Sequence, residues 1–155
     1  PLRVITLDDL RWARRDIKTV QLLGPSMAKM AAKAAGVDDC WMVDASGKVT
    51  ESTSANAYIV TGGKIVTRNL TSDILHGITR AAVVRLAKEA ALEVEERAFT
   101  VDEAKAADEA FLTSASSFVL PVVEIDGVAI AGSVVGPVTT RMRELYVDAM
   151  RASAI

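Results

Sequence analysis

The chain has 155 residues, half of them hydrophobic, a quarter charged, and a formal net charge of −2. That length suits one domain with a sizeable core, and the near-balanced charge argues against a nucleic-acid surface or an electrostatic hold on an acidic membrane. No apolar run approaches a transmembrane span and no signal peptide is visible; the lone Cys40 cannot close an intrachain disulfide, and with His76 the only histidine no metal cluster is expected. A reducing, cytoplasmic setting is the default for such a chain.

The sequence opens at Pro1 and enters at once into a strand-like run, residues 2–6. Residues 8–14 are mixed and suggest no element. Residues 15–23 read as a second extended segment. Gly24-Pro25-Ser26 opens a helix, since proline is tolerated in the first turn, and Gly36 stops it. Between them Met27, Met30, Ala31, Ala34 and Ala35 fall at helical spacing, a pattern read as core packing. Residues 40–43 and 48–51 are short strands joined through Ser46-Gly47. Residues 56–61 and 64–67 form a hairpin around Gly62-Gly63. A helix over 78–92 places Ala82, Val83, Leu86, Ala87 and Ala90 on one face. A short strand over 93–97 follows, and Thr100-Val101-Asp102-Glu103 has the spacing of a capping box. Strands over 109–112 and 118–125 come next, the second turning at Asp126-Gly127 into residues 128–130. Gly136-Pro137 opens the last helix, with Val138, Met142, Leu145, Tyr146 and Ala149 on its apolar face. Hairpins mixed with crossover helices predict a mixed α/β domain: a mixed, curled sheet with helices packed outside.

Four short polar stretches lie at element ends, where binding groups collect. Asp16-Ile17-Lys18-Thr19-Val20-Gln21-Leu22-Leu23 sets a lysine among apolar residues. Those neighbours would hold it out of bulk water and free its amine as a nucleophile toward a carbonyl, although most lysines in such runs are surface lysines. Val49-Thr50-Glu51-Ser52-Thr53-Ser54-Ala55-Asn56 reads either as a surface loop or as a carboxylate held by hydrogen bonds so that it pairs with a cation. Ile74-Leu75-His76-Gly77-Ile78-Thr79-Arg80 offers a glycine, a hydroxyl and free amides at a helix start, a phosphate site if it is more than an N-cap. Leu112-Thr113-Ser114-Ala115-Ser116-Ser117 is a hydroxyl-rich turn able to add donors to the same anion. No acid or nucleophile partner is indicated for His76, which is read as structural. Hydrolase elbows, dinucleotide fingerprints and phosphate-binding Walker loops are missing from the sequence.

Taken in order, these stretches resemble fold-type IV, pyridoxal-phosphate-dependent enzymes, and among them the D-amino-acid (D-alanine) aminotransferases. Ala98-Phe99-Thr100-Val101-Asp102-Glu103, Pro121-Val122-Val123 and Gly136-Pro137-Val138-Thr139 extend the match over nearly the whole chain. The resemblance implies roles. Lys18 would carry pyridoxal 5'-phosphate and shuttle a proton, Glu51 would bind the protonated pyridine nitrogen, and Leu75 would pack on the ring. Gly77, Ile78 and Thr79, with Ser114 and Ala115, would hold the phosphate. Thr53 and Ser54 are candidates for substrate contact. Ala115 stands where the family often has threonine, Gln21 where asparagine is common and Thr53 where serine is common, changes that bear on substrate identity.

The family also carries a smaller N-terminal domain that this chain lacks. The expectation is therefore a cofactor-binding C-terminal domain of a longer enzyme, with little turnover by itself. Expected partners are an amino acid, a 2-oxo acid and a second copy in a homodimer. Other readings are an aminodeoxychorismate lyase, a branched-chain or R-amine transaminase, and a catalytically dead dimerisation domain.

Overall fold

A computed structural model describes residues 1–153. In chain order the elements are β1 (Leu2–Asp8), α1 (Leu23–Ala34), β2 (Asp39–Val43), β3 (Val49–Ser52), β4 (Asn56–Thr61), β5 (Lys64–Thr67), α2 (Ile78–Glu89), β6 (Val94–Glu96), α3 (Val101–Lys105), β7 (Glu109–Ser114), β8 (Phe118–Ile125), β9 (Val128–Ala129) and α4 (Pro137–Ser153). Among the described residues the strands make one sheet in the order β3-β2-β1-β8-β7-β4-β5-β6, with β9 paired to β8. Two crossovers are parallel, β1-α1-β2 and β5-α2-β6; β1 also lies parallel to β8. The other neighbours are antiparallel.

The sheet curls until its two edges nearly meet. The Val49 amide, at the start of β3, donates to the Phe99 carbonyl just past β6 (3.0 Å), and Lys48 forms an antiparallel bridge with Thr100. Arg68, buried beyond β5, staples the same seam: it donates to the Val49 carbonyl (3.2 Å) and pairs with Asp44 (2.7 Å) and Asp73 (2.8 Å). The expected mixed, curled sheet with outer helices is the observed one.

Period-two alternation fills both faces. In β4, Ala57 and Ile59 pack with Val4, Trp41, Val66, Phe99 and Leu112, whereas Tyr58 and Val60 face a layer containing Val83 and Ala87 of α2 and Met142 and Tyr146 of α4. Tyr58 stacks on Phe111, ring centroids 4.5 Å apart, and its hydroxyl accepts from Thr113 (3.1 Å), so the buried polar tip is satisfied. Thr100 and Glu103 form the expected capping box at α3. None of the helices among the described residues is long and apolar enough to cross a membrane.

Three expectations are corrected. Residues 15–23 form no strand. Both flanks of β1 are already occupied by β2 and β8, and the segment meets its amides in local turns, Ile17 on the Arg14 carbonyl and Leu22 on the Val20 carbonyl. Its apolar side chains consequently lie outside the core, Val20 being 94% exposed. In α1 the buried residues are Ala28 and Ala32, which pack on Cys40 and Met42 of β2, while Met27 and Met30 face outward. Helical spacing marks a stripe without saying which stripe faces in, and the smaller face allows the closer approach to the sheet. Finally, α2 ends at Glu89, three residues early. Ala91 takes a left-handed φ of 56°, and the Leu92 amide turns back to the Ala87 carbonyl.

Candidate functional site

The site is built from the end of β3 and the loop that leaves it. The Ser52 amide donates to the Ala55 carbonyl (2.8 Å), closing the Ser/Thr-rich loop so tightly that Asn56, the first residue of β4, returns beside Glu51. Glu51 is 4% exposed. Its carboxylate accepts from Asn56 Nδ2 (3.0 Å), from the Leu75 amide (3.2 Å to either oxygen) and from Arg11 Nη1. Asn56 Nδ2 also donates to the Leu75 carbonyl (3.0 Å), tying the 75–77 segment to the same point. A Cβ at Gly77 would overlap Asn56 Oδ1, so glycine is favoured there by close approach.

Arg11 comes from residues 8–14, where the sequence suggested no element. It forks onto Asp9, Nε to Oδ1 at 2.9 Å and Nη2 to Oδ2 at 2.7 Å, and gives its remaining nitrogen to Glu51. Asp9 also accepts from Thr50 Oγ1 (2.7 Å) and pairs with Arg15 (3.2 Å), which reaches Asp73 (3.5 Å). Burial is the largest influence on Asp9 and opposes its ionisation, but the Arg11 and Thr50 bonds outweigh it and hold the group below the usual carboxylate range. For Glu51 burial again dominates and pushes it up; Arg11, through charge and hydrogen bond, is the main opposition, followed by the Leu75 amide. The signal that could have found Arg11 was the carboxylate itself, since a buried Glu51 requires a cation and donors.

Arg11, Trp12, Lys18, Glu51, Asn56 and Leu75, with Thr53 and Ser54, line one open cleft of roughly 150 Å³. That is smaller than the ~300–1,000 Å³ of most small-molecule sites. Lys18 sits on its rim and is exposed, as are Ile17 and Val20. The expected shielding of Lys18 by its apolar neighbours is therefore corrected: Ile17 and Leu22 line the same open cleft but are themselves exposed, and Val20 is almost fully in solvent.

Gly77 is the N-cap of α2 and supplies no side-chain cap, so the first amides, including those of Ile78 and Thr79, lack intrahelical partners. Thr79 is 3% exposed and its Oγ1 is buried with no hydrogen-bond partner; Ser52 Oγ is in the same condition. Ser114 lines a second cavity, which shares Ser54 and Ala55 with the cleft. Ala115, exposed at the tip of the 114–117 turn, lines neither cavity. His76 is outside the cleft, its Nε2 3.1 Å from the Thr71 carbonyl. The structure thus brings Lys18, Glu51, Leu75, Thr53 and Ser54 onto one cleft, keeps Gly77, Ile78 and Thr79 beside it through the Asn56 contact, and sets Ser114 in the adjoining cavity.

The profile of the amino-transferase class IV family matches residues 2–125. The chain belongs to this family. It is 42% identical over 139 residues to a D-alanine aminotransferase of Bacillus licheniformis, covering 90% of this chain and 49% of that protein. It is 39% identical to a putative branched-chain-amino-acid aminotransferase of Methanocaldococcus jannaschii, covering 85% and 46% respectively. Among solved structures, a T.th. branched-chain amino acid aminotransferase complexed with N-(5'-phosphopyridoxyl)-L-glutamate superposes with a TM-score of 0.93 at 34% identity, over 99% of this chain and 53% of that one. The holo-form of the Thermobaculum terrenum branched-chain amino acid aminotransferase superposes with a TM-score of 0.89 at 30% identity, over 99% and 52%. This class IV chain spans about half the length of the curated relatives it matches.

Proposed function

We propose that this chain is the cofactor-holding domain of a longer pyridoxal-phosphate-dependent aminotransferase, with Lys18 and Glu51 as its two working groups. The observation that carries the reading is the meeting of a lysine amine and a buried, donor-held carboxylate on one cleft, beside a helix start with unpartnered donors. These groups fit the cofactor's chemistry. A carboxylate suits a protonated ring nitrogen, and Leu75 offers an apolar wall. The Ile78 and Thr79 amides, with the orphaned Thr79 hydroxyl, suit a phosphate. Ser114 adds a hydroxyl donor from the adjoining cavity, and the Ala115 amide follows it in the same turn. When bound, pyridoxal phosphate supplies an electron-withdrawing ring that stabilises negative charge at a substrate's α-carbon. Lys18 Nζ would take the proton from the substrate α-carbon and deliver it to the cofactor's C4′, a transfer within reach of an amine on the cleft rim. Glu51 keeps its charge against the ring nitrogen throughout. Thr53 and Ser54 face the substrate side.

The substrate we assign is a D-amino acid, on the 42% identity to a D-alanine aminotransferase. A branched-chain amino acid is the second reading, favoured by the superposition on the T.th. branched-chain enzyme. The exposed apolar run through Val20, Leu22, Leu23, Met27 and Met30 supports cover by further protein, a second copy or the half of the relatives' length not spanned here.

Borohydride treatment after addition of pyridoxal phosphate, with peptide mapping, tests the site. The expected product carries the pyridoxyl group on Lys18 and is lost in Lys18→Ala. Labels scattered over surface lysines would refute the assignment. A donor panel of D-alanine against L-leucine, with a 2-oxo acid acceptor, then separates the two substrate readings.

A further inference from the structure

Glu51 has more donors than a ring-nitrogen anchor needs, and the strongest of them is a full cation. A carboxylate offers about four lone-pair positions. Here Asn56 Nδ2, the Leu75 amide and Arg11 Nη1 use three directions, and one remains toward the cleft. Arg11 is not free to choose its pose. Asp9 grips two of its nitrogens at 2.9 and 2.7 Å, and Asp9 is fixed in turn by Thr50 Oγ1 at 2.7 Å and Arg15 at 3.2 Å. Thr50 precedes Glu51 on β3, and its single hydroxyl proton is shared between Asp9 and the Met42 carbonyl on β2, 3.0 Å away, so the clamp is anchored to the sheet rather than to a surface loop.

Charge bookkeeping gives this arrangement its sense. Arg11 beside Glu51 alone would make a neutral pair with nothing left to attract a cationic ring. With Asp9 bound to the far side of the guanidinium, the Asp9-Arg11-Glu51 row carries a net −1 while every buried charge in it has a partner. The ion-pair chain continues through Arg15, Asp73, Arg68 and Asp44, two cations and two carboxylates that add no net charge, so the whole row stays at −1.

We infer that Arg11, oriented by Asp9, is a positioning residue that holds the Glu51 carboxylate ionised and aimed into the cleft before any cofactor arrives. The inference rests on the proposed role of Glu51 but is testable without it. The groups facing Glu51 are Arg11 and Asp9 from the 9–11 turn, Asn56 from β4 and the Leu75 amide; Arg15 and Lys18 complete the charges on the cleft wall. Without Arg11, burial and the Asp9 charge both favour the protonated acid, and an opposite charge at contact distance typically accounts for about one to three pKa units.

The experiment is a ¹³C NMR titration of the glutamate side-chain carboxyls in the cofactor-free chain, with Glu51 assigned through Glu51→Gln. Arg11→Gln, which keeps N–H donors on a shorter side chain but no charge, should raise the proton affinity of Glu51 at least tenfold. Arg11→Lys should change it less than threefold. A merely structural role would make the two variants alike, and a Glu51 titration in Arg11→Gln within threefold of wild type would overturn the inference. If Arg11→Gln does not fold, wild type still decides: the Arg11 guanidinium resonances should move at the pH where Glu51 titrates, and no movement there would overturn it as well. Pyridoxal phosphate binding is measured in parallel by absorbance. A titration shift without binding keeps the positioning role and rejects the cofactor reading; binding without a shift does the reverse.

Discussion

Replacing Gly77 with alanine should lower the thermal unfolding midpoint by several degrees, through Asn56 rather than through the backbone. Gly77 has φ −63° and ψ 135°, a conformation open to any residue, so no left-handed strain is introduced. The added Cβ would instead overlap Asn56 Oδ1 and lie 3.7 Å from Arg80 Cβ. Asn56 is 5% exposed and cannot swing out to solvent, so relief of the overlap breaks its two Nδ2 bonds, both 3.0 Å, to Glu51 and to the Leu75 carbonyl. A hydrogen bond to a charged group contributes about 1.5–3 kcal/mol and a neutral one about 0.5–1.5 kcal/mol. The loss of an acceptable N-cap adds a few tenths. The total is about 3 kcal/mol, or roughly 6–12 °C for a domain of this size. Circular dichroism melts of wild type, Gly77→Ala, Asn56→Ala and the double variant give the answer. In the Asn56→Ala background the overlap is gone, and Gly77→Ala should cost less than about 1 kcal/mol there, a strong coupling. Equal costs in both backgrounds, or a midpoint within about 1 °C of wild type, would refute the reasoning.

Burial opposes the ionisation of Asp44, but bonds from Ser46 and Arg68 and the Lys48 and Ser46 amides bring it down from 3.8 to about 2. A depressed carboxyl stabilises the fold above its unfolded value and loses that contribution as pH falls from about 4 to 2. Asp44→Asn should therefore cost on the order of 1 kcal/mol at pH 7, after allowance for solvent screening, and almost nothing at pH 2, read from urea midpoints; an equal cost at both would contradict the account. The Cys40 thiol is fully buried and pushed up to about 12 by burial, with help from Asp39. At pH 8 only about one thiol in 10,000 is then thiolate, and an aromatic disulfide reagent should label the native chain no faster than it unfolds; prompt labelling would show an open path to the sulfur.

The elements whose two faces are both buried were the most legible. The alternation in residues 56–61 and the Gly62-Gly63 turn fixed β4 and β5, and the short apolar run around Trp41 marked β2. The run 15–23 misled because apolar residues without a visible partner look like a strand, and whether a strand position is vacant is decided by β2 and β8, far away in sequence. The Met27 and Met30 stripe failed for a related reason: spacing reports a face, and the sheet chose the alanine face. At the site, the loop after Glu51 was open to two readings, a surface loop or a held carboxylate, and the structure shows the carboxylate buried and bound by Asn56, Leu75 and Arg11. Arg11 was not legible, because nothing local distinguishes it from Arg14, which pairs at the surface with Asp16; only the folded position of Asp9 makes the difference.

β1 lies between strands that begin 31 and 110 residues after its own end at Asp8: β2 starts at Asp39 and β8 at Phe118. A nascent chain leaving the ribosome can build the β2 side of this arrangement early, but the second flank waits until β8 has been made. The turn that bears Asp9, Arg11 and Lys18 hangs from the far end of β1, so its position depends on residues that take no part in the chemistry. The β8 ladder reaches only Leu2–Val4, whereas the Asp8 end from which the turn hangs pairs with Val43 of β2, so the turn gains its strand support once β2 is made and does not wait for β8.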